Sequence, residues 1–281
     1  MTAAPIFGLV LAGGRSSRMN RDKASLAYHG LSQLERTMAL LEPFCDERYV
    51  SVRPDQINDP LRARYAQIVD QDTDLGPLAG ILAAQARIPT VAWLVVACDL
   101  PRLDADTVQQ LIQQRAHDRL ATAFKSSTDG LPEPLCAIYE PASAPALAAY
   151  AAGGGRCPRK FLLNHNVALF ELARRHALDN VNSGAEYWQT MDQLAPESSQ
   201  QPRSVRVQYF AILREQSGLR EEQLETSARN PAELYDELRA RHRFTLDRAS
   251  LRVAVNEEFG SWEQPLVKGD SVVFIPPVAG G

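Results

Sequence analysis

Ile6-Phe7-Gly8-Leu9-Val10-Leu11-Ala12-Gly13-Gly14 decides the fold of the first two thirds of the chain. Its apolar run has no polar interruption, is too short to cross a membrane and leads straight into two glycines. Such a run reads as a strand buried on both faces, of the kind found in parallel sheets. Outward from it, residues 32–41 have helical spacing and residues 49–52 read as a strand. After Gly76-Pro77, residues 78–86 read as a helix with small residues. Residues 91–97 form a second continuous apolar run, ending just before Asp99, and residues 107–116 are again helical. Strands alternating with helices imply an α/β fold with a mainly parallel, buried sheet.

A chain of 281 residues, 45% apolar and 23% charged, has material for one large core and a smaller second one. The net charge of -4 argues against a nucleic-acid binder, which shows a basic excess or stripe. No run suits a membrane span or a signal peptide. Cys45, Cys98, Cys136 and Cys157 lie far apart without a C-x-x-C pair, so neither a zinc site nor a disulfide framework is expected. A reducing cytoplasm is the expected location. Cys98, in an apolar context, reads as a small core residue.

Residues 194–204, L-A-P-E-S-S-Q-Q-P-R-S, are polar, proline-bounded and without hydrophobic period. They read as a linker that would span on the order of 15–20 Å as a coil. The expected division is therefore residues 1–193, a linker at 194–204 and a second domain at 205–281. In that domain Val205, Val207 and Tyr209 alternate with polar residues as in a half-buried strand. Asn230-Pro231 opens a helix at 232–241, and residues 251–255 and 271–275 are further strands. Together they imply a small α+β domain with a mixed sheet.

The chemistry begins at residues 11–23, L-A-G-G-R-S-S-R-M-N-R-D-K. Gly13-Gly14 lets backbone N–H groups approach a ligand, forming a concavity suited to phosphate. Arg15, Arg18 and Lys23 add positive charge around it. The spacing is that of neither a dinucleotide fingerprint nor a P-loop. Asp99 should project from the carboxyl end of a strand, the edge where ligands sit in open α/β sheets. Facing phosphates, it suits Mg²⁺; a cap on the following turn is the competing role. Asp70, after Ile68-Val69, is open to the same two readings, and Lys23 taken alone reads equally as a surface lysine.

L-A-G-G-x-S-x-R-M-x-x-D-K at 11–23, G-P-L-A-G at 76–80 and C-D-L-P at 98–101 resemble the molybdenum cofactor guanylyltransferase family, as do E-P-L-C-A-I-Y at 133–139 and D-N-V-N at 179–182. The motifs run in family order across roughly residues 5–190. The resemblance implies a Rossmann-like nucleotidyltransferase that moves GMP from GTP to molybdopterin or its molybdenum form, releasing pyrophosphate. It implies that Leu11, Ala12, Gly13 and Gly14 hold nucleotide through backbone groups, and that Lys23, with Arg18, neutralises phosphate charge. Asp99 would hold Mg²⁺, Asp70 and Gly80 would face the nucleotide, and Arg53 sits near a nucleotide-contact position. Asn182 would lie near acceptor or metal. Asn20 replaces the family's usual glycine, and Ser183-Gly184 its Thr-Pro. Gly153-Gly154-Gly155-Arg156 reads as a mobile connection, with acceptor contact as the alternative.

Residues 205–281 resemble the small subunit of molybdopterin synthase, a ubiquitin-like β-grasp sulfur carrier, through Y-F-A-I-L-R-E at 209–215, V-A-V-N at 253–256 and F-I-P-P-V-A-G-G at 274–281. A terminal Gly-Gly arises by chance roughly once in 200 chains. Two glycines can thread a narrow channel, and Pro276-Pro277 stops the tail from extending the sheet. The resemblance implies a thiocarboxylate on Gly281. It also implies as partners the synthase large subunit, an adenylating and sulfurating enzyme, and molybdopterin-bearing proteins. The alternatives are a cytidylyl- or sugar-phosphate nucleotidyltransferase fused to a ubiquitin-like interaction module, or a catalytically dead N-terminal scaffold.

Overall fold

A computed structural model describes residues 3–14, 19, 21–28 and 30–277. Arg15, Arg18, Asn20, Gly280 and Gly281 lie outside the described residues. The chain divides into two compact units, one running to Asn180 and the other from Val181 onwards. Met19, Arg21 and Asp22 group with the second unit, where the Arg21 guanidinium pairs with Asp270.

In the first unit, the opening apolar run is β1 (Ile6–Leu11). It is followed by β2 (Glu47–Val52), β3 (Gln67–Val69), β4 (Ala92–Ala97), β5 (Ala121–Lys125), β6 (Pro132–Tyr139) and β7 (Val167–Phe170). They form one sheet in the order β3-β2-β1-β4-β6-β5-β7. The pairs β1–β2, β1–β4, β2–β3 and β5–β7 are parallel, and only β6 runs against its neighbours β4 and β5. The expected mainly parallel sheet is present.

Alternation explains why these strands are apolar throughout. Val10, Leu94 and Val96 enter the core on one face, while Leu9, Trp93 and Val95 enter the core on the other. Each such side chain contributes about 1.5–3 kcal/mol when fully buried. The helices are α1 (Gln33–Leu40), α2 (Pro77–Arg87), α3 (Ala105–Gln113), α4 (Ser143–Ala152) and α5 (Pro158–Asn164). A capping box fixes the start of α1: the Glu35 N–H donates to Ser32 Oγ at 3.2 Å and the Ser32 N–H to Glu35 Oε2 at 2.9 Å. Gly76, at the N-cap of α2, has φ of +57°, a conformation that side-chain-bearing residues rarely adopt.

The second unit holds α6 (Gly184–Leu194), α7 (Pro196–Gln200), β8 (Arg203–Tyr209), α8 (Ala211–Ser217), β9 (Glu221–Thr226), α9 (Pro231–His242), β10 (Arg252–Val255), β11 (Glu258–Phe259) and β12 (Ser271–Ile275). The sheet order is β11-β10-β12-β8-β9, with β8 and β12 parallel and the other pairs antiparallel. Val205, Val207 and Tyr209 share a core with Leu234, Tyr235 and Leu238 of α9. Asn230 caps α9, its Oδ1 accepting from the Glu233 N–H at 2.9 Å.

The expected linker at 194–204 differs. Pro196–Gln200 is helical, and Arg203 already begins β8. Its polar residues are engaged within the unit: Ser199 Oγ donates to the Pro196 carbonyl at 2.9 Å and Arg203 Nη1 to the Ala228 carbonyl at 2.6 Å. Helix α6, expected in the first domain, packs in the second unit. Its Trp188 Nε1 donates to the Arg229 carbonyl at 2.7 Å, and the Arg203 guanidinium stacks 4.3 Å from the Trp188 ring. The glycine stretch after α4 also differs from a mobile connection. The Gly153, Gly154 and Gly155 N–H groups donate to the Ala149, Ala151 and Tyr150 carbonyls, closing the helix end.

Candidate functional site

Parallel alignment brings the carboxyl ends of β1, β2, β3 and β4 to one edge of the sheet, and Ala12-Gly13, Arg53, Asp70 and Asp99 follow directly from those ends. The motif residues therefore converge although they are far apart in the chain.

Gly13 lies against Asp70. A Cβ on Gly13 would come 3.1 Å from Asp70 Oδ2, so the turn can sit on this carboxylate only because the side chain is absent. Gly14 is exposed, with open space where a Cβ would be. Asp70 is 6% exposed, and Ser51 Oγ donates to its Oδ1 at 2.7 Å. Burial pushes the Asp70 carboxyl up to about 6, against the opposing pull of the Ser51 hydrogen bond and the Arg53 charge. Gly80, expected to face the nucleotide, is buried in α2, and a Cβ there would overlap Ser51 Oγ and crowd Leu11. Its missing side chain lets helix and strand approach.

Two arginines hold the glycine turn from the protein side. Arg53 Nη1 donates to the Gly13 carbonyl, while its Nε and Nη2 hold Asp55 at 3.0 and 2.9 Å. Arg62 donates to the Ala12 carbonyl through Nε at 3.1 Å and Nη2 at 2.7 Å. Sequence reading missed Arg62 and Ser51. Arg62 stands in a polar stretch that looks solvated, yet it is 1% exposed.

Lys23 opens a short 3-10 turn, and its Nζ lies 2.9 Å from Asp99 Oδ2. Both side chains are about one fifth exposed, at 18% and 20%, so they remain accessible to solute. Among the described residues no group of three or more His, Cys, Asp or Glu could hold a metal ion. That donor set fits magnesium, which takes one or two carboxylates and completes its shell from phosphates and water. Asn182 belongs to the second unit, in the cap of α6, where its N–H donates to Glu186 Oε2 at 2.7 Å. Arg18 and Gly281 lie outside the described residues.

In the second unit, a groove of about 880 Å³ is lined by Phe210, Ile212, Phe259, Ile275 and Pro276 among others. Phe210 and Phe259 are 52% and 67% exposed, and Ile275-Pro276 places the groove beside the start of the tail. All four cysteines are free, and no helix among the described residues is long and apolar enough to cross a membrane.

The MobA-like NTP transferase domain model matches residues 8–169, and the ThiS family model matches residues 207–281. A molybdenum cofactor biosynthesis bifunctional protein of Synechocystis sp. is 33% identical over 189 residues, covering 67% of this chain and 54% of that protein. The chain thus spans about half the length of that relative. A molybdenum cofactor guanylyltransferase of Burkholderia ambifaria is 34% identical over 202 residues, covering 66% of this chain and 97% of the relative. The crystal structure of molybdopterin-guanine dinucleotide biosynthesis protein A from Archaeoglobus fulgidus aligns with a TM-score of 0.57 at 22% identity, covering 68% of this chain and 99% of that one. At that identity the likeness is one of fold. Strand-end geometry and family match agree, and the chain belongs to the MobA-like NTP transferase family, with a ThiS-family domain following it.

Proposed function

We infer that the first unit transfers GMP from GTP to the phosphate of molybdopterin, or of its molybdenum form, and releases pyrophosphate. The observation that carries this reading is the gathering of a glycine turn, an ammonium and two carboxylates on one sheet edge. An acceptor phosphate oxygen attacks the α-phosphorus, a new P–O bond forms, and the bond to the bridging oxygen of pyrophosphate breaks. No enzyme nucleophile is required, so positioning and charge neutralisation supply the catalysis.

Leu11, Ala12, Gly13 and Gly14 hold the nucleotide through backbone groups, while Lys23 and Arg18 offset phosphate charge. Asp70 accepts hydrogen bonds from the nucleotide, and Arg53 and Gly80 shape the floor of its site. Asp99 would hold Mg²⁺, which supplies neutralisation of the triphosphate when bound. Asn182 is assigned to the acceptor side. Guanine is favoured over cytosine by the name of the Burkholderia relative. The test is pyrophosphate release with Mg-GTP and molybdopterin, with Mg-CTP and sugar-phosphate acceptors run in parallel. Release with GTP alone among the nucleotides supports the reading; turnover confined to CTP or sugar phosphates overturns it.

The ThiS-family domain is read as a sulfur carrier with a thiocarboxylate on Gly281. Its support is the exposed apolar groove beside the tail, a surface suited to docking. The partners of this reading are the molybdopterin synthase large subunit and an adenylating, sulfurating enzyme. Molybdopterin-bearing proteins are partners of the first unit. Both activities are assigned to the reducing cytoplasm, which keeps free thiols reduced. Mass spectrometry of the C-terminal peptide, from cells with an intact sulfuration pathway, tests it through the sulfur-for-oxygen mass change.

A further inference from the structure

Arg62 poses a physical problem. A guanidinium 1% exposed to solvent carries a large desolvation cost, and an apolar residue of similar volume is often at least as stable in such a place. Its printed carboxylate contact is Asp59, whose Oδ1 lies 3.2 Å from Nη1. Asp59 also accepts the Arg62 backbone N–H at 2.9 Å, so the turn Asp59-Pro60-Leu61-Arg62 presents the arginine from a fixed base. From there the guanidinium places two N–H groups on a single oxygen, the Ala12 carbonyl.

Peptide planarity shows what this accomplishes. In a trans peptide the carbonyl of one residue and the N–H of the next point in opposite directions. Holding the Ala12 carbonyl against Arg62 therefore aims the Gly13 N–H away from Arg62. Arg53, on the Gly13 carbonyl, does the same for the Gly14 N–H. Two successive amides are thus oriented together, as in an anion-binding nest, with a buried positive charge behind them.

We propose that Arg62 is a positioning residue for the triphosphate: seated on Asp59, it fixes the Ala12–Gly13 peptide so that the turn's amides and its own charge favour phosphate. This rests on the nucleotidyltransferase reading and deepens it. Arg62 does not touch the nucleotide; it acts through the backbone of the turn.

The experiment compares binding of Mg-GTP, by calorimetry, with binding of guanosine, by ligand-observed NMR, in wild type, Arg62→Met, Arg62→Lys and Asp59→Asn. Arg62→Met is expected to weaken GTP about tenfold or more, the scale of a charge-assisted hydrogen bond, while changing guanosine less than about twofold. Arg62→Lys, keeping charge without the fork, recovers part of the loss, and Asp59→Asn gives a smaller loss of the same selectivity. Equal losses on both ligands, or unchanged GTP affinity, overturn the proposal. Should Arg62→Met not fold, Arg62→Lys and Asp59→Asn decide by the same ratio. Wild type that binds no GTP sinks the parent reading and this one with it; wild-type binding with insensitive variants sinks only this one.

Discussion

Lys23 and Asp99 are ion-paired across 76 positions of sequence, Nζ to Oδ2, at 2.9 Å. The residue assigned to phosphate and the residue assigned to metal therefore hold each other at the sheet edge. The pair keeps a cation and a carboxylate poised in a partly exposed place, where neither alone would be so well fixed. A Mg-triphosphate offers each a better partner: phosphate for the ammonium, metal for the carboxylate.

Removing either partner should stop the chemistry and spare the fold. Lys23→Ala and Asp99→Ala are each expected to lower turnover by about 10²–10³ or more, the scale for one preorganised charge-stabilising group. Pyrophosphate release measures this, and circular dichroism checks that the unit remains folded. Wild-type rates in either variant would refute the assignment.

Asp70 should make nucleotide binding and stability depend on pH in opposite senses. With its carboxyl up at about 6, it loses its charge as pH falls through that value, and the affinity for Mg-GTP should fall with it. For stability the sign reverses: a raised folded-state value means that the buried carboxylate destabilises the fold once pH rises above about 6. Asp70→Asn should therefore stabilise the protein at pH 8 by on the order of 3 kcal/mol, with the gain disappearing near pH 4. It should at the same time weaken GTP binding. Thermal melts at the two pH values and calorimetry at pH 8 check both arms.

Arg115 and Glu140 form a bidentate pair, 2.6 and 2.8 Å, with side chains only 6% and 4% exposed. Arg115→Met leaves Glu140 buried without its cation and should cost about 3–5 kcal/mol in urea unfolding. The double variant Arg115→Met, Glu140→Leu should recover most of that loss. A double variant no more stable than the single one would mean that the pair, and not the unmatched charge, carries the stability.

Deleting Gly281 should abolish formation of the thiocarboxylate and leave pyrophosphate release unchanged. Intact-mass measurement and the pyrophosphate assay on the same preparation check this. Loss of both activities would contradict the assignment of separate roles to the two domains.

The alternation of apolar strands and helices was legible because burial on two faces forces Leu9, Val10 and their counterparts in β4 to be apolar alike. Strand direction was not: Glu133–Tyr139 was read only as a motif, and nothing in its composition says that β6 runs antiparallel to β4. Helix α6 was assigned to the wrong neighbour because helical periodicity marks an apolar face without naming what covers it. Its partners, Arg203 and Arg229, lie downstream in polar sequence. At the site, Gly13, Lys23, Asp70 and Asp99 were legible through their motifs. Arg62 was not, since its contact with Ala12 spans 50 positions and arginine between polar neighbours looks solvated.

Strand β12 occupies the middle of the small sheet, bonded to β10 on one edge and to parallel β8 on the other. A partner that grips the chain beyond Ile275 and draws on it loads these ladders lengthwise. The rungs must then shear together instead of peeling open one at a time. The domain is thereby built to withstand tension at the end by which it is handled.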